Sequence, residues 1–263
     1  LLTFLLSLSA TTPRRLFWLG TVLGLAVAIK WVALGVIVPV GFVLMRKEVN
    51  GVRFALMFIW AVFVYLAIIL AGNLIGRVAH PFNYIWEWQY QAFFYHWDLT
   101  VGHPWGSRWY TWPFMIRPVL FAYDPDKAGQ VSLISAIGNP LVWWSSTIAV
   151  LYSLREVLIE RLVRGRRILD HPLVPLLLGY AAFLLPWVGI SRVQFIYHYL
   201  CAYGFALLIL TYWLSRVWRK RPWLVVGYLV LVVAVAVFFL PLQIYWPISL
   251  HWLHYHIWLK SWL

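Results

Sequence analysis

The sequence predicts an all-α protein that crosses a membrane several times. Three observations predict it. Of 263 residues, 63% are hydrophobic and only 11% are charged, whereas soluble domains average about 45–50% and 25%. Five apolar runs approach the roughly 20 residues that a bilayer crossing needs: Arg53–Gly72, Pro140–Leu158, Leu173–Ile190, Ile196–Ser215 and Trp223–Leu240. Finally, the 21 Lys and Arg residues, against 8 Asp and Glu, fall in short clusters between those runs. In a soluble chain a net charge of +13 would suggest a nucleic-acid partner. Spaced between apolar runs, the same charge is the pattern of cytoplasmic loops, and no nucleic acid is expected. A single cysteine, Cys201, excludes an internal disulfide framework.

The chain begins at Leu1 with LLTFLLSLS, which is apolar but too short to span. It lacks a basic leader and a small-residue cleavage site, so it reads as the end of a transmembrane helix and the chain as the C-terminal part of a longer protein. Leu16–Leu44 follows, with Lys30 in its middle. One helix would put Arg14 and Arg15 outside and Arg46 and Lys47 inside. Two short arms, Leu16–Ile29 and Trp31–Met45, put all four inside, and this hairpin is preferred. Lys30 then sits at the turn, below the outer surface. Gly20 and Gly24, four apart, offer close helix packing.

The clusters Met45–Arg53, Arg161–His171 and Arg216–Pro222 fall on one side if the five runs alternate, and the positive-inside rule makes that side cytoplasmic. Asn73–Asn139 and the tail after Leu240 then lie outside. Tyr84–Asp98, YIWEWQYQAFFYHWD, has the aromatic density of the headgroup level and reads as an interfacial helix. Pro104, Pro113, Pro118 and Pro125 predict an irregular loop for the remainder. The expected organisation is a central transmembrane part over 1–72, an extracytoplasmic loop over 73–139, a four-helix transmembrane region over 140–241 and an interfacial tail over 242–263.

Few residues here suggest chemistry. A lysine inside an apolar run is costly and is a functional candidate by default, so Lys30 is expected to meet a lipid phosphate, against snorkelling to headgroups as the plain reading. Arg117, fixed between two prolines, and Arg192 and His198, flanking a short turn, suit phosphate, since guanidinium donates two hydrogen bonds at once. The outward carboxylates are Glu87, Asp98, Asp124 and Asp126; Asp124-Pro125-Asp126 reads as turn chemistry. His251, His254 and His256 invite a zinc reading, but amphipathic packing explains them more simply, and no metal or other cofactor is expected. No phosphate-binding glycine loop or nucleophile elbow occurs.

His103-Pro104-Trp105-Gly106-Ser107, then Trp109, then Trp112-Pro113-Phe114-Met115-Ile116-Arg117-Pro118, resembles the H-P-aromatic-x-S…W-P-x-x-x-R-P signature of protein O-mannosyltransferases. Gly138-Asn139-Pro140, Trp143-Trp144 and Phe195-Ile196-Tyr197-His198-Tyr199-Leu200 continue the agreement, and Gly20…Gly24…Lys30-Trp31 looks like the family's short-helix element. The resemblance implies glycosyltransferase family 39, a GT-C-like helix bundle with an aromatic-rich extracytoplasmic loop, and transfer of mannose from a polyprenyl- or dolichyl-phosphate to Ser or Thr of a protein outside the cytoplasm. Without the β-trefoil insert of eukaryotic members, the chain is similar to the bacterial branch, which implies a multi-pass protein of the cell (inner or plasma) membrane. Lys30, Arg117, Arg192 and His198 would meet the lipid phosphate; His103, Ser107, Trp109 and Trp112 would shape the sugar and acceptor cleft. The family's catalytic carboxylate lies in a loop upstream of Leu1, so no catalytic residue is assigned here. Two alternatives stay open: a related GT-C enzyme acting on a lipid or cell-wall glycan, and a transporter.

Overall fold

The computed structural model describes residues 1–98, 101–165 and 167–263, with the side chains of 96–98 left aside. The chain divides into two compact units, Leu1–Thr100 with Ala181–Phe183, and Val101–Tyr180 with Leu184–Leu263.

The first unit begins with α1 (Leu2–Ser7) and α2 (Pro13–Ile29). Thr12 caps α2 by accepting from the Arg15 N–H, and Pro13 takes the first helical position, where no donor is lost. The helix ends at Lys30, whose backbone is extended (φ −161°, ψ 128°). A 3₁₀ turn over Trp31–Val36 leads into α3 (Ile37–Arg46). The two arms end together. Arg15 Nη1 donates to the Ser9 carbonyl at 2.8 Å, and Lys47 Nζ donates to the neighbouring Leu8 carbonyl at 2.5 Å. The chain therefore reverses at Lys30, and the basic residues Arg15 and Lys47 share one end.

Next comes α4 (Gly51–Ile75), capped by the Asn50 side chain and packed against α2. The approach is close because Gly20 and Gly24 lack side chains: a Cβ at Gly20 would lie 2.6 Å from the Met57 carbonyl oxygen, and one at Gly24 would lie 2.4 Å from that of Ala61. Trp60 threads the seam, stacking on Phe17 at 4.7 Å and donating to Thr21 Oγ1 at 2.8 Å. Last in this unit is α5 (Pro81–Asp98), with Phe82, Trp86, Tyr90, Phe93 and Tyr95 exposed along it. The Asp98 side chain, one of the four outward carboxylates, lies outside the described residues.

In the second unit the segment after Pro118 is not the irregular loop that its prolines predict. Strands β1 (Leu120–Pro125) and β2 (Gln130–Ser135) form an antiparallel hairpin, with a register shift between Leu120 and Ala122. Asp126 builds the turn, its Oδ1 accepting from the N–H of Ala128 at 2.9 Å and of Gln130 at 2.7 Å, while Gly129 supplies φ +79°. Pro125 ends β1, where a missing donor costs least.

The helices of this unit are α6 (Pro140–Leu162), α7 (Val174–Leu184), α8 (Leu200–Trp218) and α9 (Pro222–Phe239). Asn139 caps α6. Ala149, Val150, Ala206, Ile209 and Leu210 form the core between α6 and α8. A two-residue strand β3 (Ile248–Ser249) joins the edge of β2, and α10 (Leu250–His256) follows. The fold class is all-α with one small sheet.

Among the described residues, three helical runs are long and apolar enough to cross a membrane: Gly51–Ile75, Ile196–Trp218 and Pro222–Leu242. The other two expected crossings differ. Leu173–Ile190 is an α-helix only to Leu184 and a 3₁₀ turn from Leu185 to Gly189, because Pro186 cannot donate to an α-helical carbonyl. Pro140–Leu162 is long, but Arg155, Glu156, Glu160 and Arg161 occupy its last two turns.

Candidate functional site

Each unit carries part of the expected site. In the first, Lys30 is exposed at the α2 reversal, and its ammonium has no hydrogen-bond or ion-pair partner among the described residues. The extended backbone that ends α2 places its side chain beyond the last helical turn. The next residue, Trp31, starts a chain of polar contacts. Its indole N–H donates to Tyr65 Oη at 3.0 Å, and the Tyr65 hydroxyl donates to Gln89 Oε1. Gln89 Nε2 is buried without an acceptor among the described residues. These three side chains border an apolar groove of about 430 Å³, whose walls include Leu23, Val27, Ile37, Phe58 and Leu66. The groove is apolar, and its lining suits a hydrocarbon chain. Tyr65 and Gln89 were not singled out from the sequence. A glutamine within an otherwise aromatic interfacial run was the available signal.

In the second unit His103, Ser107, Trp112 and His198 come together. His103 Nδ1 accepts from the Trp105 N–H at 3.1 Å, and the ring meets Phe195 edge-on at 5.2 Å. The Ser107 N–H donates to the Gln194 carbonyl at 2.7 Å, and Ser107 Oγ accepts from the Trp112 indole at 2.9 Å. Trp112 in turn stacks on His198 at 6.0 Å and meets Trp187 edge-on at 5.5 Å. Three further bonds tie this segment to the head of α6. Trp143 Nε1 donates to the Trp112 carbonyl at 2.8 Å, Trp144 Nε1 to that of Phe114 at 2.9 Å and Thr147 Oγ1 to that of Pro113 at 2.6 Å. Gly138 makes room for the first, since a Cβ there would lie 2.5 Å from the Trp143 ring. Gly138 and the pair Trp143-Trp144 thus share one purpose: they bolt the segment around Trp112–Phe114 onto the start of α6.

Burial separates the expected cleft residues. Trp112 is 0% exposed and His198 8%. No face of the Trp112 ring is open to a sugar, and His198 lies among Trp187, Phe195 and Tyr197 with Nδ1 3.0 Å from the Phe195 carbonyl oxygen. Both are packing residues that hold their neighbours in place. His103 and Arg117 are exposed, while Ser107, Trp109 and Arg192 are half-buried. Arg117 lies over the Trp105 ring at 5.5 Å, and Trp109 meets Tyr110 edge-on at 5.8 Å. Gln194 was passed over in the sequence. It is 6% exposed, and its Nε2 donates to the carbonyls of Trp187 at 2.9 Å and Ile190 at 2.6 Å, so it shapes the turn that receives Ser107.

The remaining candidates are occupied. Glu87 accepts from Gln91 at 2.9 Å, Asp124 from the Tyr245 hydroxyl at 2.6 Å, and Asp126 from its own turn. His256 stacks on Phe238 at 4.2 Å with Nε2 2.8 Å from the Phe238 carbonyl oxygen, a packing role.

A helical membrane protein with an aromatic segment fastened to the start of a long helix is the class these features define. Residues 81–262 match the family described as the C-terminal four-transmembrane region of protein O-mannosyltransferase, and the chain belongs to that family. It is 28% identical over 199 residues to the polyprenol-phosphate-mannose–protein mannosyltransferase of Mycobacterium tuberculosis, covering 68% of this chain and 37% of that one. It is 28% identical over 120 residues to dolichyl-phosphate-mannose–protein mannosyltransferase 5 of Saccharomyces cerevisiae, covering 42% of this chain and 16% of that one. The structure of the S. cerevisiae protein O-mannosyltransferase Pmt1–Pmt2 complex bound to the sugar donor aligns with a TM-score of 0.57 at 23% identity, over 70% of this chain and 26% of that chain. That likeness concerns the fold. The chain spans little more than a third of the length of its mycobacterial relative.

Proposed function

We propose that this chain is part of an enzyme that transfers mannose from a polyprenyl or dolichyl phosphate to Ser or Thr hydroxyls of proteins, on the outer face of the cell (plasma) membrane. The observation that carries this reading is the apolar groove of about 430 Å³ bordered by Trp31, Tyr65 and Gln89, with the exposed Lys30 next to Trp31 in the chain and unpaired among the described residues. A prenyl chain suits the groove, and a phosphate suits the lysine. In the reaction the acceptor oxygen attacks the anomeric carbon, the bond to the lipid phosphate breaks, and the phosphate leaves with the electron pair. A carboxylate takes the acceptor proton. Fixed cations stabilise the charge that develops on the phosphate.

In this division of labour Lys30 meets the phosphate; Arg117 and Arg192, the accessible cations named in the second unit, suit an anionic donor group, and the buried His198 holds its aromatic neighbours in place. His103, Ser107 and Trp109 form the acceptor-facing surface, and Trp112 holds Ser107 in place. The base belongs to the part of the relatives that this chain does not cover, in keeping with the prior engagement of Glu87, Asp124 and Asp126. The names of the mycobacterial and yeast relatives support the donor and acceptor classes.

The gene product, purified in nanodiscs, is supplied with polyprenyl-phosphate-mannose and a Ser/Thr-rich peptide, and peptides are read by mass spectrometry. The expected outcome is a gain of one hexose on Ser or Thr. Transfer to a lipid or glycan acceptor with the peptide left untouched would replace this reading by the related glycosyltransferase.

A further inference from the structure

A polar cavity lies where the end of α6 meets the end of α8 in the second unit. Its walls come from the end of α6, the connection to α7 and the end of α8, and its volume is about 510 Å³. Glu160, Arg167, Asp170, His171, Tyr212 and Arg216 line it. Nothing in the reading above uses these residues.

The charges inside are unequally matched. Glu160 is shared by Arg164, 3.2 Å away, and His171, 3.8 Å away. His171 is fixed by accepting from the Leu173 N–H at 3.2 Å. Among the described residues Arg216 donates to the Tyr212 hydroxyl, at 2.7 Å, and lies over the Tyr212 and Trp213 rings at 5.6 and 5.9 Å. Neither Arg216 nor Arg167 is paired with a carboxylate among the described residues. Asp170 and the shared Glu160 are the opposing charges in the wall. Two exposed guanidiniums therefore face a common polar space, and a planar guanidinium fork matches the oxygens of a phosphate.

Position narrows the ligand. Arg216 is in the last turn of the apolar run Ile196–Trp218, and Tyr212 and Trp213 are aromatic residues of the kind found at the headgroup level. Basic pockets between transmembrane helix ends take anionic lipid headgroups. We propose that this cavity binds the phosphodiester headgroup of an anionic membrane phospholipid, seated between Arg167 and Arg216 at the basic end of the bundle.

The probes are phosphatidylglycerol and cardiolipin, against phosphatidylcholine, with the purified protein in micelles and bound lipid counted by native mass spectrometry. Arg167→Gln and Arg216→Gln are compared with Arg219→Gln and Arg221→Gln, which lie outside the cavity wall. The wild type is expected to retain anionic lipid over phosphatidylcholine. Each cavity variant should weaken retention about five-fold, the usual contribution of one basic residue at a membrane surface, with the outside pair within about two-fold of wild type. Arg216→Lys, which keeps the charge and loses the fork, should fall between. Circular dichroism confirms that each variant is folded. Equal losses from the outside pair would assign the effect to diffuse surface charge and overturn the site. Inorganic phosphate or glycerol 1-phosphate displacing the lipid at equal concentration would assign the cavity to a soluble anion and overturn the lipid.

Discussion

Trp262 donates its indole N–H to the main-chain carbonyl of Met115 at 2.8 Å, joining residues 147 apart in sequence. Both are fully buried, and Met115 holds φ +52°, a left-handed conformation uncommon for a residue with a side chain. The Ser261 hydroxyl donates to the next carbonyl, Ile116. The tail is thus a clamp on the strained corner that leads into Arg117.

Trp262→Phe keeps a ring and loses the donor, leaving the Met115 carbonyl buried without that bond. The expected cost is roughly 1–3 kcal/mol. Trp262→Ala also loses contact with Trp144, Trp258 and Phe239 and should cost about 3–5 kcal/mol. Thermal unfolding in detergent, with limited proteolysis of the tail, checks the order.

Ser107→Ala removes the acceptor of an indole N–H that has no access to water. Destabilisation of roughly 1–3 kcal/mol is expected, with Ser107→Thr nearly neutral. If Ser107 only lined the acceptor surface, the alanine variant would change turnover and leave the melting temperature unmoved.

Gly24→Val places a branched side chain where a single Cβ already lies 2.4 Å from the Ala61 carbonyl oxygen and 2.8 Å from Val64 Cβ. Overpacking of this kind costs about 1–3 kcal/mol. The variant should melt lower and open the groove on α2 and α4, while Gly41→Ala, with nothing near its Cβ position, should not. Size-exclusion and thermal melts separate the two.

Tyr245 donates to Asp124 Oδ2 at 2.6 Å, and this bond, more than any burial, raises its pKa above the ordinary value of 10. A group whose folded pKa is raised stabilises the fold fully below its unfolded value, and the contribution is lost as pH rises through the folded one. The pairing of β2 with β3 should therefore hold at neutral pH and loosen above about pH 10. Hydrogen exchange at Val131 reads the step, and Tyr245→Phe should abolish it.

Lys30→Met keeps the aliphatic stem and removes the charge. Transfer should fall by about 10²-fold or more, as for loss of one preorganised donor, with the protein still inserted. Lys30→Arg should keep part of the activity. Wild-type turnover of an inserted Lys30→Met protein would make Lys30 a headgroup anchor.

The apolar runs, the basic clusters between them and the exposed aromatic helix over Pro81–Asp98 were legible in the sequence, because hydrophobic length and charge placement act residue by residue. Gly20 and Gly24 announced a close helix approach for the same local reason. The break at Lys30 was legible too, since a charge in an apolar run marks where the chain must surface. Only tertiary structure decided the rest. Proline spacing concealed the hairpin of Leu120–Ser135, which an edge strand from Ile248–Ser249, far along the chain, extends to three strands. Trp109 and Trp112 look alike as sequence, yet one is half-buried and the other sealed, because burial of Trp112 is set by His198 and Trp187 from another segment. Gln89 and Gln194 became visible only when the partners of their amides could be counted. Hydrogen-bond satisfaction is a property of pairs, and a sequence states its residues one at a time.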